Sequence, residues 1–209
     1  MNMRISIIDY GSGNLHSVIK AFQQLGALVK VTSDPGDVAR AERLVLPGVG
    51  AFEDGMAGLD KRGLISGIQD YFSTERPFLG ICLGMQMLLT ESEEFGLKPG
   101  MGVIPGRVTE IPVQKGYKVP HIGWSRIQPR PEESWSGSIL EDVVPGTRVY
   151  FVHSFSAQPA QEEHRLADTM YGNYRISAAI QRGQVVGCQF HPEKSGPLGL
   201  KILERFLRL

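Results

Sequence analysis

Apolar positions in the first part of the chain alternate between two spacings. Residues 4–8 form a short β-branched run (Ile5, Ile7, Ile8), the pattern of a buried strand. Residues 14–25 place Leu15, Val18, Ile19, Phe22 and Leu25 at helical intervals, and Gly26 follows as a terminator. Further strands are expected over 28–32, 43–46 and 77–81. A second helix is expected over 63–72 (Leu64, Ile65, Ile68, Tyr71, Phe72). Strands alternating with helices imply parallel βαβ units and an α/β layer fold.

The pattern then changes. From residue 102 onward the signals are strands and turns: 107–111, 118–127, 149–155, 165–171, 176–181 and 185–190, with a Pro-, Glu- and Ser-rich loop over 128–137. Residues 198–207 close the chain as an amphipathic helix. One domain over 1–209 accounts for this, a mixed sheet whose parallel strands come first and whose antiparallel strands are added later.

Charge and composition narrow the function classes. The 22 basic and 22 acidic residues cancel, so no global field draws the chain to nucleic acid or an anionic membrane. No run reaches the roughly 18 apolar residues of a membrane span, and the N-terminus is too short and too acidic for a secretory signal. A soluble, cytoplasmic protein is expected. The only two cysteines, Cys82 and Cys188, make no disulfide framework and fit a reducing compartment. No metal-ligand spacing, Walker loop or dinucleotide fingerprint occurs, so no cofactor or metal is expected.

The most informative segment runs from Pro77 to Gln86. An apolar strand enters Gly80-Ile81-Cys82-Leu83-Gly84 and then a helical pattern (Met85, Leu88, Leu89). This is a nucleophile elbow with cysteine in place of serine. The turn strains the nucleophile's backbone, and glycines two residues before and after remove side chains that would clash. A helix N-terminus behind the sulfur would favour its thiolate, and the Leu83 amide would aim at a developing oxyanion. The alternative is that Cys82 is a small buried hydrophobe at a tight turn.

A strand over 185–190 ends in His191-Pro192-Glu193, where α/β enzymes place reacting groups. Pro192 stiffens the link, so His191 and Glu193 can project to one side. The carboxylate would orient the imidazole, whose other nitrogen takes the cysteine proton. A surface His-Pro-Glu turn is the alternative. A second oxyanion donor would come from the loop 46–52, after the third strand, with Val49 between two glycines. Cys188 reads as core packing, and His16 and His164 as solvated.

Together these residues resemble the class I, triad-type glutamine amidotransferases. The carrying motifs are Pro47-Gly48-Val49-Gly50, Gly80-Ile81-Cys82-Leu83-Gly84-Met85-Gln86 and Phe190-His191-Pro192-Glu193, in the family's order along essentially the whole chain. The resemblance implies that family's flavodoxin-like three-layer α/β fold. Within the family, the chain looks like the glutaminase subunits of imidazole glycerol phosphate synthases. That narrower likeness rests on segments 9–15, Pro120-His121-Ile122-Gly123-Trp124, 150–155 and Lys194-Ser195. Ser125 and Phe155 depart from the Asn and Tyr more often found there.

The resemblance implies that Cys82 attacks the side-chain amide of glutamine, giving a glutamyl thioester and ammonia, with His191 as base and Glu193 as its orienter. Val49 and Leu83 would form the oxyanion hole, and Gly50, Gln86, His153, Ser154 and Phe155 would hold glutamine. Ammonia would pass to a cyclase subunit, a (β/α)8 barrel, in a heterodimer serving histidine biosynthesis, and Pro120, Trp124 and Lys194 are the candidate docking residues. A sister glutaminase for another pathway, a free-standing γ-glutamyl cysteine hydrolase and an inactive binding module are the competing readings. Peptide turnover by the isolated chain, unaffected by any partner, would favour the free-standing hydrolase.

Overall fold

The computed structural model describes residues 3–131 and 133–209. The chain begins β1 (Arg4–Ile8), α1 (Leu15–Gln24), β2 (Leu28–Thr32), α2 (Pro35–Arg40), β3 (Leu44–Gly48), α3 (Phe52–Lys61), α4 (Leu64–Phe72), β4 (Phe78–Cys82) and α5 (Leu83–Gln86). It continues with β5 (Leu89–Ser92), β6 (Lys98–Pro99), β7 (Ile104–Glu110), β8 (His121–Arg126), β9 (Arg148–His153) and β10 (Phe155–Pro159). β11 (Arg165–Tyr171), β12 (Tyr174–Arg182), β13 (Val185–Cys188) and α6 (Gly196–Leu207) complete it.

Seven strands form the main sheet in the order β11-β12-β13-β4-β3-β1-β2. From β13 to β2 all neighbours are parallel, and β12 and β11 add antiparallel at one edge. Side chains alternate across this sheet with the two-residue strand period. Ile5, Ile7, Val45 and Leu79 face one core with α1 and α6, while Ile8, Leu44, Leu46 and Phe78 face the other with α3 and α4. The first core is closed by Phe22 of α1 against Phe206 of α6, ring centroids 6.4 Å apart. Each such buried aliphatic or aromatic side chain contributes about 1.5–3 kcal/mol, so the sheet is held from both sides.

The register decides where function can sit. Gly48 pairs with Cys82 and Cys188 with Ile81, so β3, β4 and β13 end side by side. The three loops leaving those ends carry Val49, Leu83 and His191. Carboxyl ends of parallel strands are where open α/β sheets bind ligands.

Several expectations are corrected. The later strands do not all join the main sheet: β10-β7-β5-β6 make a separate four-stranded sheet and β8-β9 a two-stranded ribbon. The expected strand over 149–155 breaks at Ser154 into β9 and β10. The helix after Cys82 is a single turn, and Leu89 starts a strand; buried Leu88 and Leu89 suit either period. A single turn has little of the dipole invoked for the sulfur. His164 is buried in a short 3-10 turn rather than solvated.

Candidate active site

Cys82 closes β4 with φ +54° and ψ −109°, a conformation that non-glycine residues adopt only when the surroundings enforce it. The enforcement is visible in its neighbours. A Cβ on Gly84 would lie 1.8 Å from the Leu46 carbonyl oxygen, and one on Gly80 would lie 2.7 Å from the Gly84 oxygen. Gly48, at the end of β3, has the Tyr10 hydroxyl, Leu83 Cβ and Gly84 N all within 2.9 Å of where its Cβ would be. The glycines therefore let β3 and the elbow close on one another, and the sulfur is held at the strand end.

His191 follows β13 and is the residue before a 3-10 turn, Pro192–Lys194, with Pro192 at its first position. His191 Nδ1 lies 2.8 Å from Glu193 Oε1, and the two side chains are only 2% and 1% exposed. The carboxylate oxygen can only accept, so Nδ1 carries the hydrogen. Nε2 is buried with no hydrogen-bond partner; His191 shares a cavity with Cys82, whose sulfur acts on the imidazole. Burial is the largest single influence on the imidazole and pushes its pKa down. The Cys82 and Glu193 interactions together outweigh it and raise the pKa to about 9. The imidazolium is the stable form at neutral pH.

The turn is also pinned from behind. His191 N–H donates to the Tyr150 carbonyl (2.9 Å). The Ser195 hydroxyl donates to the His191 carbonyl (2.7 Å) and accepts from Tyr150 N–H (3.0 Å). Cys188 is fully buried in β13, and its thiol is pushed up by burial and by the Glu193 charge, so it is a packing residue.

A cavity of about 260 Å³ opens over the sulfur, lined by Val49, Gly50, Cys82, Leu83, Gln86 and His191 together with Val152, His153, Ser154, Phe155 and Glu94. The oxyanion and glutamine-binding candidates from the sequence are thus all brought to one place. Val49 is anchored on its carbonyl side, which accepts from the Ser12 hydroxyl at 2.8 Å. Gln86 differs from expectation in one respect. Its amide donates to the Phe155 carbonyl (2.9 Å) and to Gln189 Oε1 (3.1 Å), so its N–H groups brace the wall.

Three contributors were given no role in the site from the sequence. Glu94 lines the cavity, and its Oε2 accepts the Phe52 N–H at the start of α3 (2.6 Å). Buried Gln189 reaches the sulfur with Nε2 at 3.7 Å. Ser195 clamps the His191 turn as described. Only Ser195 had a signal, its place in the Lys194-Ser195 segment that follows the triad glutamate.

Pro120, Trp124 and Lys194 lie outside the cavity and are exposed. Trp124 is 51% and Ile122 60% exposed on the outward face of β8, which settles Trp124 as a surface residue. A wider groove of about 510 Å³ is lined by Trp124 and Ser125 with Arg126, Arg148, Met170 and Arg175 among others, and neither Cys82 nor His191 reaches it.

Residues 6–209 match the family described as glutamine amidotransferase class-I. The chain is 49% identical to "Imidazole glycerol phosphate synthase subunit HisH 1" of Legionella pneumophila (strain Lens), over 98% of this chain and 99% of that protein. It is 46% identical to the "Imidazole glycerol phosphate synthase subunit HisH" of Moorella thermoacetica, over 97% and 93%. It is also 45% identical to "Imidazole glycerol phosphate synthase hisHF, chloroplastic" of Arabidopsis thaliana, over 97% of this chain but 34% of that longer protein. Among solved structures, "Structure of PurLQS from Thermotoga maritima" superposes with a TM-score of 0.75 at 18% identity, covering 100% of this chain and 99% of that one, a likeness of fold.

Proposed function

The chain belongs to the class I glutamine amidotransferases, and we propose that it hydrolyses glutamine to glutamate and ammonia as the glutaminase subunit of an imidazole glycerol phosphate synthase in histidine biosynthesis. The observation that carries the mechanism is the buried imidazole with Glu193 on Nδ1, an unpartnered Nε2 and the Cys82 sulfur acting on the ring from the same cavity.

In this reading the Cys82 thiolate attacks the side-chain amide carbon of glutamine. Charge gathers on the amide oxygen, where the backbone N–H groups of Leu83 and Val49 would receive it; a donor of this type supplies about 3–4 kcal/mol. The His191 imidazolium gives its Nε2 proton to the departing nitrogen, the C–N bond breaks, and ammonia leaves a glutamyl thioester. Neutral His191 then takes a proton from water, whose oxygen attacks the thioester. The C–S bond breaks, releasing glutamate and the thiolate. The Glu94 carboxylate suits the substrate's α-ammonium, and Gly50, His153, Ser154 and Phe155 would present backbone around the rest.

Ammonia freed into water at neutral pH becomes ammonium and loses its nucleophilic lone pair, so the product has to be passed on directly. The proposed acceptor is a (β/α)8-barrel cyclase subunit docked over Pro120, Trp124 and Lys194, where an exposed aromatic beside a lysine suits an interface. The Arabidopsis relative, in which a segment like this chain occupies a third of a longer polypeptide, supports such a division of labour.

The test is Cys82→Ser in the two-subunit complex. Glutamine-dependent synthesis of imidazole glycerol phosphate is expected to vanish while synthesis from added ammonia persists. Loss of both activities, or of neither, would refute the assignment.

A further inference from the structure

Two buried histidines outside the triad, His121 on β8 and His153 at the end of β9, are directly opposite each other in the ribbon register. We infer that Ser125, His121 and His153 form one directed hydrogen-bond chain that fixes the 153–155 wall of the cavity. Ser125 and His121 are then positioning residues for glutamine, an inference that rests on the glutamine-hydrolysis reading above.

The direction follows from what each atom can do. His153 Nδ1 lies 2.8 Å from the Phe155 carbonyl oxygen, which can only accept, so Nδ1 carries the hydrogen. Nε2 of a neutral His153 is then an acceptor. Its partner at 3.1 Å, His121 Nδ1, must therefore donate. That leaves His121 Nε2 as an acceptor, and the Ser125 hydroxyl, 2.8 Å away, is its donor. Every member has one arrangement open to it, set by the Phe155 carbonyl at one end and completed by the serine hydroxyl at the other.

Protonating His153 would set two N–H groups face to face at the central contact, and protonating His121 would set an N–H against the Ser125 hydroxyl that donates to it. The environment opposes this: burial pushes His121 down to about 4. Burial, against the Phe155 carbonyl bond that favours the charged ring and with smaller contributions from His121 and His191, pushes His153 down to about 3. His121 is also held in orientation, stacked on Phe151 at 4.9 Å and tilted on Tyr171 at 4.1 Å.

The chain ends on an atom the cavity depends on. The Phe155 carbonyl accepts from His153 and from Gln86, Gln86 donates also to Gln189, and Gln189 reaches the Cys82 sulfur. Ser154, between the two strands β9 and β10, is held on its carbonyl side by Ile111 N–H at 2.9 Å. The histidine chain adds a second constraint, on the side facing the cavity. Without its donor, His121 Nε2 is left unpartnered in a buried site, the other His121 tautomer becomes open to it, and the hold of His121 on His153, and through it on the Phe155 carbonyl, loosens.

Two measurements on the full-length protein test this. With a cyclase subunit present, Ser125→Ala should raise KM for glutamine about five- to tenfold with kcat within about twofold, and Ser125→Thr, which keeps the hydroxyl, should restore KM. An unchanged KM in Ser125→Ala, or no recovery in Ser125→Thr, overturns the inference. Nitrogen-15 NMR of the unmodified protein needs neither a variant nor turnover. Both rings should carry their hydrogen on Nδ1, and a hydrogen on Nε2 of either overturns the chain. Absence of glutamine hydrolysis by the unmodified complex would instead sink the function proposed above and leave the NMR result to decide the chain.

Discussion

At His191 burial favours the neutral ring, while the Cys82 sulfur and the Glu193 carboxylate favour the cation, and the cation prevails up to a pKa of about 9. Catalysis needs this outcome, because the amide nitrogen of glutamine departs only when protonated. The rate of glutamine hydrolysis should therefore hold through neutral pH and fall as pH rises through about 9. Since the folded pKa exceeds the unfolded value of about 6.5, protonation of His191 contributes stability fully below that value and loses it on the way to 9. Glu193→Gln keeps the shape but removes the charge, so the alkaline limb should move to lower pH and turnover should drop less than in Cys82→Ser. A pH–rate profile of kcat/KM checks both, and a profile still rising well above pH 9 in the unmodified protein would contradict the scheme. These three residues were legible in the sequence because each sits in a short contiguous motif. Glu94 and Gln189 were not, since their roles arise from contacts 42 and 107 positions away in the chain, with Phe52 and Cys82.

Among the elements, the early βαβ run was legible because its periodicity is undiluted, whereas α2 and α3 escaped notice for physical reasons. α2 buries only Val38, and its start is set by capping, with the Asp34 carboxylate accepting Asp37 N–H at 2.8 Å and Pro35 at the first position. α3 contains Gly55 and Gly58, which depress helix propensity by about 1 kcal/mol each. Packing demands them: a Cβ would lie 2.9 Å from Met87 Sδ at the first and 2.9 Å from the Tyr10 ring at the second. The same logic marks α6 as the support of the base. Gly199 lets this helix approach so closely that a Cβ would sit 1.8 Å from the Pro192 carbonyl oxygen. Gly199→Ala must push the His191-Pro192-Glu193 turn away from β4 or strain α6, a mismatch of about 1–3 kcal/mol or more. The melting temperature should fall by roughly 2–12 °C. The kinetic signature should be a lower kcat with little change in KM, because the base moves while the glutamine wall stays. Circular dichroism melts with steady-state kinetics check this, and unaltered kcat would show that α6 does not hold the base.

For the molecule as a whole, the neighbouring of β3 and β4 could be expected from βαβ logic, but the late strand β13 lying parallel beside β4 and the detached β8-β9 ribbon could not, because strand periodicity does not say which sheet a strand joins or in which direction. That ribbon separates two tasks by strand face. Its inward positions, His121 and Ser125, serve the cavity wall, while its outward positions, Ile122 and Trp124, are left to solvent. Trp124 meets Tyr150 across the ribbon edge-on with centroids 6.0 Å apart, which steadies the indole without burying it. A large, oriented and half-exposed aromatic is the type of residue that dominates an interface, and its loss typically costs about 2 kcal/mol or more of binding. Trp124→Ala should thus weaken association with the cyclase subunit about 30-fold or more. The melting temperature should barely change, since the residue adds little to either core. Calorimetric titration of the cyclase into each protein measures the difference. Equal affinity for the two would move the docking surface off this ribbon, and with it the route by which ammonia is handed on.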